Sequence, residues 1–105
     1  MTQPLATVFA ALADEMRWSI LARIADEPAS ASRLAGELPI SRQGIMQHLD
    51  VLHDAGLVTA SRRGREVLYS PRAARLEALG RELQLVGKAW DRRLARIKVL
   101  AEAGR

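Results

Sequence analysis

The sequence predicts a mainly α-helical fold with one small β-hairpin, an α+β arrangement in a single domain over residues 1–105. Apolar residues recur at helical spacing through most of the chain, two short runs rich in strand formers flank Gly64, and the final third is one continuous helical pattern. With 49% hydrophobic residues, the chain can bury one cooperative core. Because only 4% of residues are aromatic, aliphatic side chains must fill that core.

Two helices are predicted at the start of the chain. The first runs from Pro4 to Leu12 and the second from about Glu15 to Ala25. Asp14 is an N-cap residue for the second helix, and Pro28 marks its end. We expect the side chain of Trp18, in this helix, to pack near the apolar residues of the helix. One face of the first helix is apolar and carries Leu5, Val8 and Phe9.

A pair of short helices joined by a tight turn is predicted over residues 30–55. Ser30 caps the third helix, which Pro39 ends. Ser41 caps the fourth helix, which runs to about Ala55. The fourth helix has an apolar side that we expect to be buried: Ile45, Leu49 and Leu52.

A β-hairpin is predicted from the runs Leu57–Ser61 and Val67–Ser70, which five residues around a glycine connect. Helix, turn, helix and hairpin in this order make a winged helix-turn-helix, with residues 57–70 as the wing. Ser70 is then an N-cap and Pro71 the first residue of a last helix, over residues 71–103.

The last helix carries an apolar stripe at alternating steps of three and four residues: Leu76, Leu79, Leu83, Val86, Trp90, Leu94, Ile97 and Ala101. At about 1.5 Å per residue this helix is about 45 Å long, more than one small domain covers. We therefore predict a homodimer built from residues 1–12 and 71–103. The alternative is that the stripe packs only on the first two helices of its own chain. Trp90 is expected in the core rather than in a small-molecule pocket.

The fourth helix is predicted to enter the major groove of double-stranded DNA. If its apolar side is buried, the outward positions are Arg42, Gln43, Met46, Gln47 and Asp50. Arginine can pair with guanine, glutamine with adenine, and a capping serine at a helix N-terminus with phosphate. The predicted DNA contacts on this helix are Ser41, Arg42, Gln43, Gln47 and, at its flank, His48. The alternative is a solvated helix face with an ordinary cap.

The predicted hairpin tip is strongly basic, since Arg62, Arg63 and Arg65 face only one acidic neighbour, Glu66. Such a tip fits a phosphate or minor-groove contact, and the alternative is a solvated charged turn. A glycine inside the fourth helix, Gly44, is unfavourable for helix formation. Either a close approach of DNA or simple tolerance in the first helical turn would explain it.

Composition excludes several functions. The chain has no cysteine, which removes disulfides, thiolate metal sites and a cysteine nucleophile. Ser41 near His48 has no convincing third partner, so we predict no enzyme. Sixteen basic and twelve acidic residues give a net charge of +4, which is compatible with nucleic-acid binding. The sequence has neither a membrane span nor a signal peptide, so the cytoplasm is expected.

Several short segments occur together in this sequence. They are Leu12-Ala13-Asp14, Leu38-Pro39-Ile40-Ser41-Arg42-Gln43, His48-Leu49 with Leu52, Ala55-Gly56-Leu57-Val58 and, in the wing, Arg62-Arg63-Gly64-Arg65 with Leu68-Tyr69. In combination, over about residues 5–100, they resemble the ArsR/SmtB family of bacterial repressors. The resemblance implies a symmetric dimer, built from the first and last helices, that binds palindromic operator DNA, often in its own promoter.

Many members of that family release DNA on binding a metal ion. The thiolates that such members carry in the third helix correspond to residues 29–32, which offer none, and another family site needs histidines and carboxylates on the last helix. The last helix here has carboxylates but no histidine: Glu77, Glu82, Asp91 and Glu102. His48 and His53 both belong to the fourth helix and cannot share a face. The chain therefore resembles metal-independent members, whose last helix carries a tryptophan where this one has Trp90.

We predict a sequence-specific DNA-binding regulator, a homodimeric repressor of its own or an adjacent operon that needs no cofactor or metal and contacts no membrane. One alternative is a winged-helix module that binds proteins and has lost DNA binding, against which the exposed arginines argue. Another is a repressor that senses an unidentified small molecule.

Overall fold

The computed structural model describes residues 4–104 and confirms a mainly α fold with a two-stranded antiparallel hairpin. The elements in chain order are α1 (Leu5–Leu12), α2 (Glu15–Asp26), α3 (Ala31–Glu37), α4 (Arg42–Asp54), β1 (Val58–Arg63), β2 (Glu66–Pro71) and α5 (Ala73–Ala103). Two compact units divide the chain, one up to Arg75 and the other from Leu76 onward. The first three residues of the predicted N-terminal dimerisation segment lie outside the described residues.

The starts of α2, α3 and α4 are fixed by the predicted side-chain caps. In each case the cap oxygen accepts a hydrogen bond from the backbone N–H three residues later, at 3.0 Å for Asp14, 3.1 Å for Ser30 and 3.1 Å for Ser41. A cap of this kind stabilises a helix by about 1 kcal/mol. The short helices α3 and α4 therefore begin where the sequence dictates.

The core of the first unit is aliphatic. Its largest fully buried side chains come from every helix of that unit and from the start of the wing: Val8, Ile20, Ile24, Leu34, Ile45, Leu49, Leu52, Leu57 and Val58. Truncating one such leucine or isoleucine to alanine typically destabilises a protein by about 2–5 kcal/mol. The expectation for Trp18 was wrong, because its side chain on α2 is 59% exposed.

The turn of the wing is shorter than the sequence predicted. Strands Val58–Arg63 and Glu66–Pro71 pair along their full length, so the turn contains only Gly64 and Arg65. Gly64 has a φ of +60°, as the first central position of a type II′ turn requires. The predicted five-residue loop was wrong because exposed arginines continue the ladder, and Arg62 also donates from Nε to the Gly64 carbonyl at 3.4 Å.

The start of the last helix also differs from the prediction. Ser70 and Pro71 belong to β2, and α5 begins at Ala73. Proline lacks an N–H and is tolerated at the end of an edge strand, so the ladder loses little there. The backbone N–H of Arg72 donates to the Leu57 carbonyl at 2.8 Å, which extends the connection between the two strands beyond the proline.

Tyr69 ties the wing to the helices. Its backbone exchanges two hydrogen bonds with Ala29, at 2.9 and 3.3 Å, in the connection between α2 and α3. Its ring is buried, and its hydroxyl lies 3.9 Å from the sulfur of Met46 on α4. Met46, which we expected to face outward, is therefore half-buried against the wing.

Arg23 and Glu37 join α2 to α3. Two guanidinium nitrogens of Arg23 donate to the two carboxylate oxygens of Glu37, at 2.7 and 3.4 Å, and a third donates to the Glu27 carbonyl at 2.8 Å. The hydrogen bonds from Arg23 hold the pKa of Glu37 below its ordinary value of 4.5, and the nearby charge of Arg33 acts in the same direction.

The second unit consists of α5 from Leu76 onward. Leu79 is its buried residue, whereas the rest of the stripe that we assigned to dimer contacts is between 46% and 59% exposed: Leu83, Val86, Trp90, Leu94 and Ile97. Trp90 therefore does not lie in the core of a single chain. The guanidinium of Arg93 lies 5.5 Å from the centre of its ring.

Gly44 has an explanation within the chain. A Cβ atom at this position would lie 2.7 and 2.8 Å from Cγ1 and Cδ1 of Ile40, well inside van der Waals contact. The side chain of Ile40, which precedes the N-cap Ser41, therefore covers Gly44. A side chain at Gly44 would displace it.

We expect the pH dependence of stability to reveal the Arg23–Glu37 pair. Since the folded-state pKa of Glu37 is lowered, its contribution is fully present above pH 4.5 and is lost as the pH falls through the folded pKa. Chemical denaturation should show the wild type more stable than Glu37→Gln at about pH 7, with the difference fading below about pH 4. In an Arg23→Met background this pH dependence should largely disappear.

The contact between Ile40 and Gly44 predicts coupling between the two positions. Alanine is favoured over glycine inside a helix by up to about 1 kcal/mol, so Gly44→Ala should stabilise the protein once Ile40 is cut back to alanine. In the wild-type background the displaced Ile40 side chain should remove that gain. A double-mutant cycle measured by denaturation should give a coupling of about 1 kcal/mol, and additive effects would contradict the contact.

Candidate nucleic-acid interface

The burial of one side of α4 sets the orientation of the other. Ile45, Leu49 and Leu52 are inaccessible to solvent, while the predicted DNA-contact residues Ser41, Arg42, Gln43 and Gln47 are exposed. His48 is half-buried at the flank of this surface. The structure therefore places a helix N-terminus, one arginine and two glutamines on one solvent-facing side. These groups can hold phosphate and pair with base edges in the major groove.

Helix α4 and the wing meet in a cleft of about 190 Å³. Arg42, from the first turn of α4, and Arg65, from the turn of the wing, both line this cleft, together with Ser32, Met46 and Tyr69. Glu66 is the acidic residue of the lining. Two arginines that are 23 positions apart in the sequence thus share one surface, which suits an anionic ligand such as a phosphate backbone.

The three wing arginines are not equivalent. Arg62 and Arg63 are consecutive residues of β1, and consecutive side chains of a strand point to opposite faces of a sheet. Neither lines the cleft that contains Arg65. One face of the wing therefore presents Arg62 and the other Arg63, while Arg65 accompanies Arg42.

Arg17 contacts the flank of this surface through His48, a contact that the sequence did not reveal. From α2, it donates to the carbonyls of Ala11 at 2.6 Å and Ala10 at 3.4 Å, and it lies 3.3 Å from Nδ1 of His48 on α4. The backbone N–H of Arg17, and then the positive charge of Arg17, lower the pKa of Asp14. Sequence pattern alone could not find this contact, because Arg17 and His48 are 31 positions apart.

The part of the chain that the structure describes provides neither a metal site nor a membrane-spanning helix. Among residues 4–104, the structure brings together no group of three or more His, Cys, Asp or Glu side chains that could hold a metal ion. His53 has Asp54 as its ion-pair neighbour, at 4.0 Å. Within the same residues, no helix combines the length and the apolar character that crossing a membrane requires.

A helix-turn-helix with an exposed polar second helix and a basic wing defines a DNA-binding transcriptional regulator. A family model described as "Helix-turn-helix domain" matches residues 12–60. The HTH-type transcriptional regulator Rv2034 of Mycobacterium tuberculosis is 38% identical over 84 residues, which cover 80% of this chain and 76% of the relative. The chain belongs to the ArsR/SmtB family of helix-turn-helix transcriptional regulators, and such regulators are not enzymes.

Solved structures agree with this assignment. An ArsR-like transcriptional regulator from Rhodococcus sp. RHA1 is 49% identical, with a TM-score of 0.83 and coverage of 92% of both chains. The homodimeric winged helix-turn-helix DNA-binding domain of Mb0332 from Mycobacterium bovis is 28% identical, with a TM-score of 0.64 over 82% of this chain and 77% of that one. The cadmium sensor CmtR from Mycobacterium tuberculosis is 36% identical, with a TM-score of 0.61 over 79% and 87%.

The geometry predicts different roles for Arg65 and Gln47 in DNA binding. Arg65→Ala should weaken binding to all duplexes alike and lower the slope of log affinity against log salt by about one unit, because one phosphate contact is lost. Gln47→Ala should leave that slope unchanged and reduce discrimination at one base pair by about 1–3 kcal/mol. Fluorescence anisotropy over a salt series measures both.

Arg96→Ala serves as the control, since Arg96 is an exposed arginine of α5 that is not among the predicted DNA contacts. An equal change of slope in Arg96→Ala and Arg65→Ala would show that only net charge matters.

Proposed function

We propose that this regulator is a homodimeric repressor that binds a palindromic operator in its own or an adjacent operon, in the cytoplasm. The observation that carries the proposal is the shared surface of α4 and the wing, where exposed Arg42, Gln43 and Gln47 adjoin the cleft lined by Arg65. In this proposal α4 pairs with base edges in the major groove. The wing arginines Arg62, Arg63 and Arg65 hold the flanking phosphate backbone.

The proposed dimer rests on the apolar stripe of α5. Five large apolar residues of the stripe, from Leu83 to Ile97, are about half exposed in the single chain, and soluble monomers rarely leave such a continuous stripe uncovered. Phe9 on α1 is also exposed, and Leu5 is partly so. Val8 and Leu79 are buried within the chain, so they would support the interface from beneath. The homodimeric neighbour Mb0332 lends support.

Repression follows from the spacing of two α4 helices. A two-fold dimer presents them to successive major grooves on one side of the duplex, about 34 Å apart. A palindromic site then offers each subunit the same bases. Occupancy of a site that overlaps a promoter blocks access of the polymerase.

We also propose that the regulator works without a metal ion. The absence of cysteine and the restriction of both histidines to α4 support this proposal. In this respect the proposed regulator differs from the cadmium sensor CmtR.

One experiment tests the dimer and the function together. Leu94→Glu should yield a monomer in sedimentation at micromolar concentration, because each dimer would bury two unpaired carboxylates. Its affinity for a palindrome selected from random duplexes by the wild type should fall at least about tenfold, while half-site binding should change little. Zinc or cadmium should leave wild-type binding unchanged.

Leu85→Glu is the matched control, since Leu85 lies on α5 off the stripe and is 65% exposed. This variant should remain a dimer and bind the palindrome as the wild type does. A dimeric Leu94→Glu protein would contradict the proposed interface, and a wild type that enriches no sequence would contradict the proposed function.

A further inference from the structure

The side chain of Arg17 joins the end of α1 to the flank of α4. Its Nε donates to the carbonyl of Ala11, and one terminal nitrogen donates to the carbonyl of Ala10, which also accepts from the backbone N–H of Ala13, the C-cap of α1. Its other terminal nitrogen lies 3.3 Å from Nδ1 of His48. Arg17 is thereby held from one side by backbone and meets the imidazole from the other.

This contact determines where the ring of His48 carries its proton. Every guanidinium nitrogen of arginine is a donor and none is an acceptor. A hydrogen bond between Arg17 and Nδ1 therefore requires a lone pair on Nδ1, so the ring is neutral and its N–H is at Nε2. Among residues 4–104, no group accepts a hydrogen bond from Nε2 of His48.

The position of His48 suggests what accepts that bond. Ser41, Gly44 and His48 are spaced at i, i+3 and i+7, so they follow one side of α4 from its N-cap. Gln47, next to His48, is exposed on the surface assigned to the major groove. Groups along the flank of a recognition helix contact the phosphates that border the groove.

We propose that His48 donates a hydrogen bond from Nε2 to a DNA phosphate as a neutral ring, and that Arg17 is the positioning residue that fixes this tautomer. The proposal rests on the proposed function, because it concerns the same DNA surface. Since Arg17 is anchored on the last carbonyls of α1, this phosphate contact depends on a helix that belongs to the proposed dimer interface.

The tautomer can be measured in the free protein. Long-range proton–nitrogen correlation spectra of the imidazoles at about pH 7.5 distinguish the two neutral tautomers and the cation, and only two histidines need assignment, aided by His53→Gln. We expect the Nε2–H tautomer at His48 in the wild type and a mixture in Arg17→Met. A cationic ring, an Nδ1–H tautomer, or a spectrum unaffected by Arg17→Met would overturn the proposal.

Binding to the selected palindrome tests the phosphate contact. His48→Ala should weaken binding about tenfold without changing the salt slope, because a neutral donor displaces no counterion. Arg17→Met and the double variant should lose about as much affinity as His48→Ala. If the two residues acted independently, the fold-losses of the single variants would multiply in the double variant. His48→Gln, whose carboxamide nitrogen can take the place of Nε2, should recover most of the loss.

His48→Ala leaves the hydrogen bonds between Arg17 and α1 in place. This variant therefore tests the phosphate contact even if Arg17→Met disturbs the fold. A His48→Ala protein that binds like the wild type, or a salt slope lower by about one unit, overturns this proposal alone. A wild type that prefers no duplex instead overturns the proposed function, and the phosphate contact with it.

Discussion

The burial of one side of α4 is the constraint on which the rest of the structure depends. Ile45, Leu49 and Leu52 are wholly inaccessible, and because successive helical residues differ by about 100° in direction, their burial leaves Arg42 and Gln47 outside. Rotating the helix would expose side chains that each contribute about 2–5 kcal/mol. The free energy that folds the first unit therefore also orients the surface that faces DNA.

The wing depends on the same core through Tyr69. A two-stranded hairpin is marginally stable by itself in water, so its position must come from contacts with the helices. The backbone pair with Ala29 and the buried ring next to Met46 supply those contacts. They hold the wing where Arg65 and Arg42 line one cleft. An apolar core and one tyrosine thus bring together charges from distant parts of the sequence.

Short-range rules predicted much of this architecture. N-caps act within three residues, so the starts of three helices could be placed from sequence by Asp14, Ser30 and Ser41. The rules failed where tertiary contacts decide: Pro71 continues a strand, and Arg17 meets His48 across 31 positions. The contact that explains Gly44 could not be found from the sequence, because the orientation of the nearby Ile40 side chain cannot be inferred from residue type.

The two-residue turn gives the wing a fixed reach. Its arginines are carried by paired strands rather than by a loose loop, so their distance from the core is set by strand length, about 3.3 Å for each residue. Lengthening both strands by two residues would move the tip outward and keep each arginine on its own face. Lengthening them by one would exchange the faces of Arg62 and Arg63. Among relatives with this kind of turn, wings should therefore differ in length by pairs of residues in each strand.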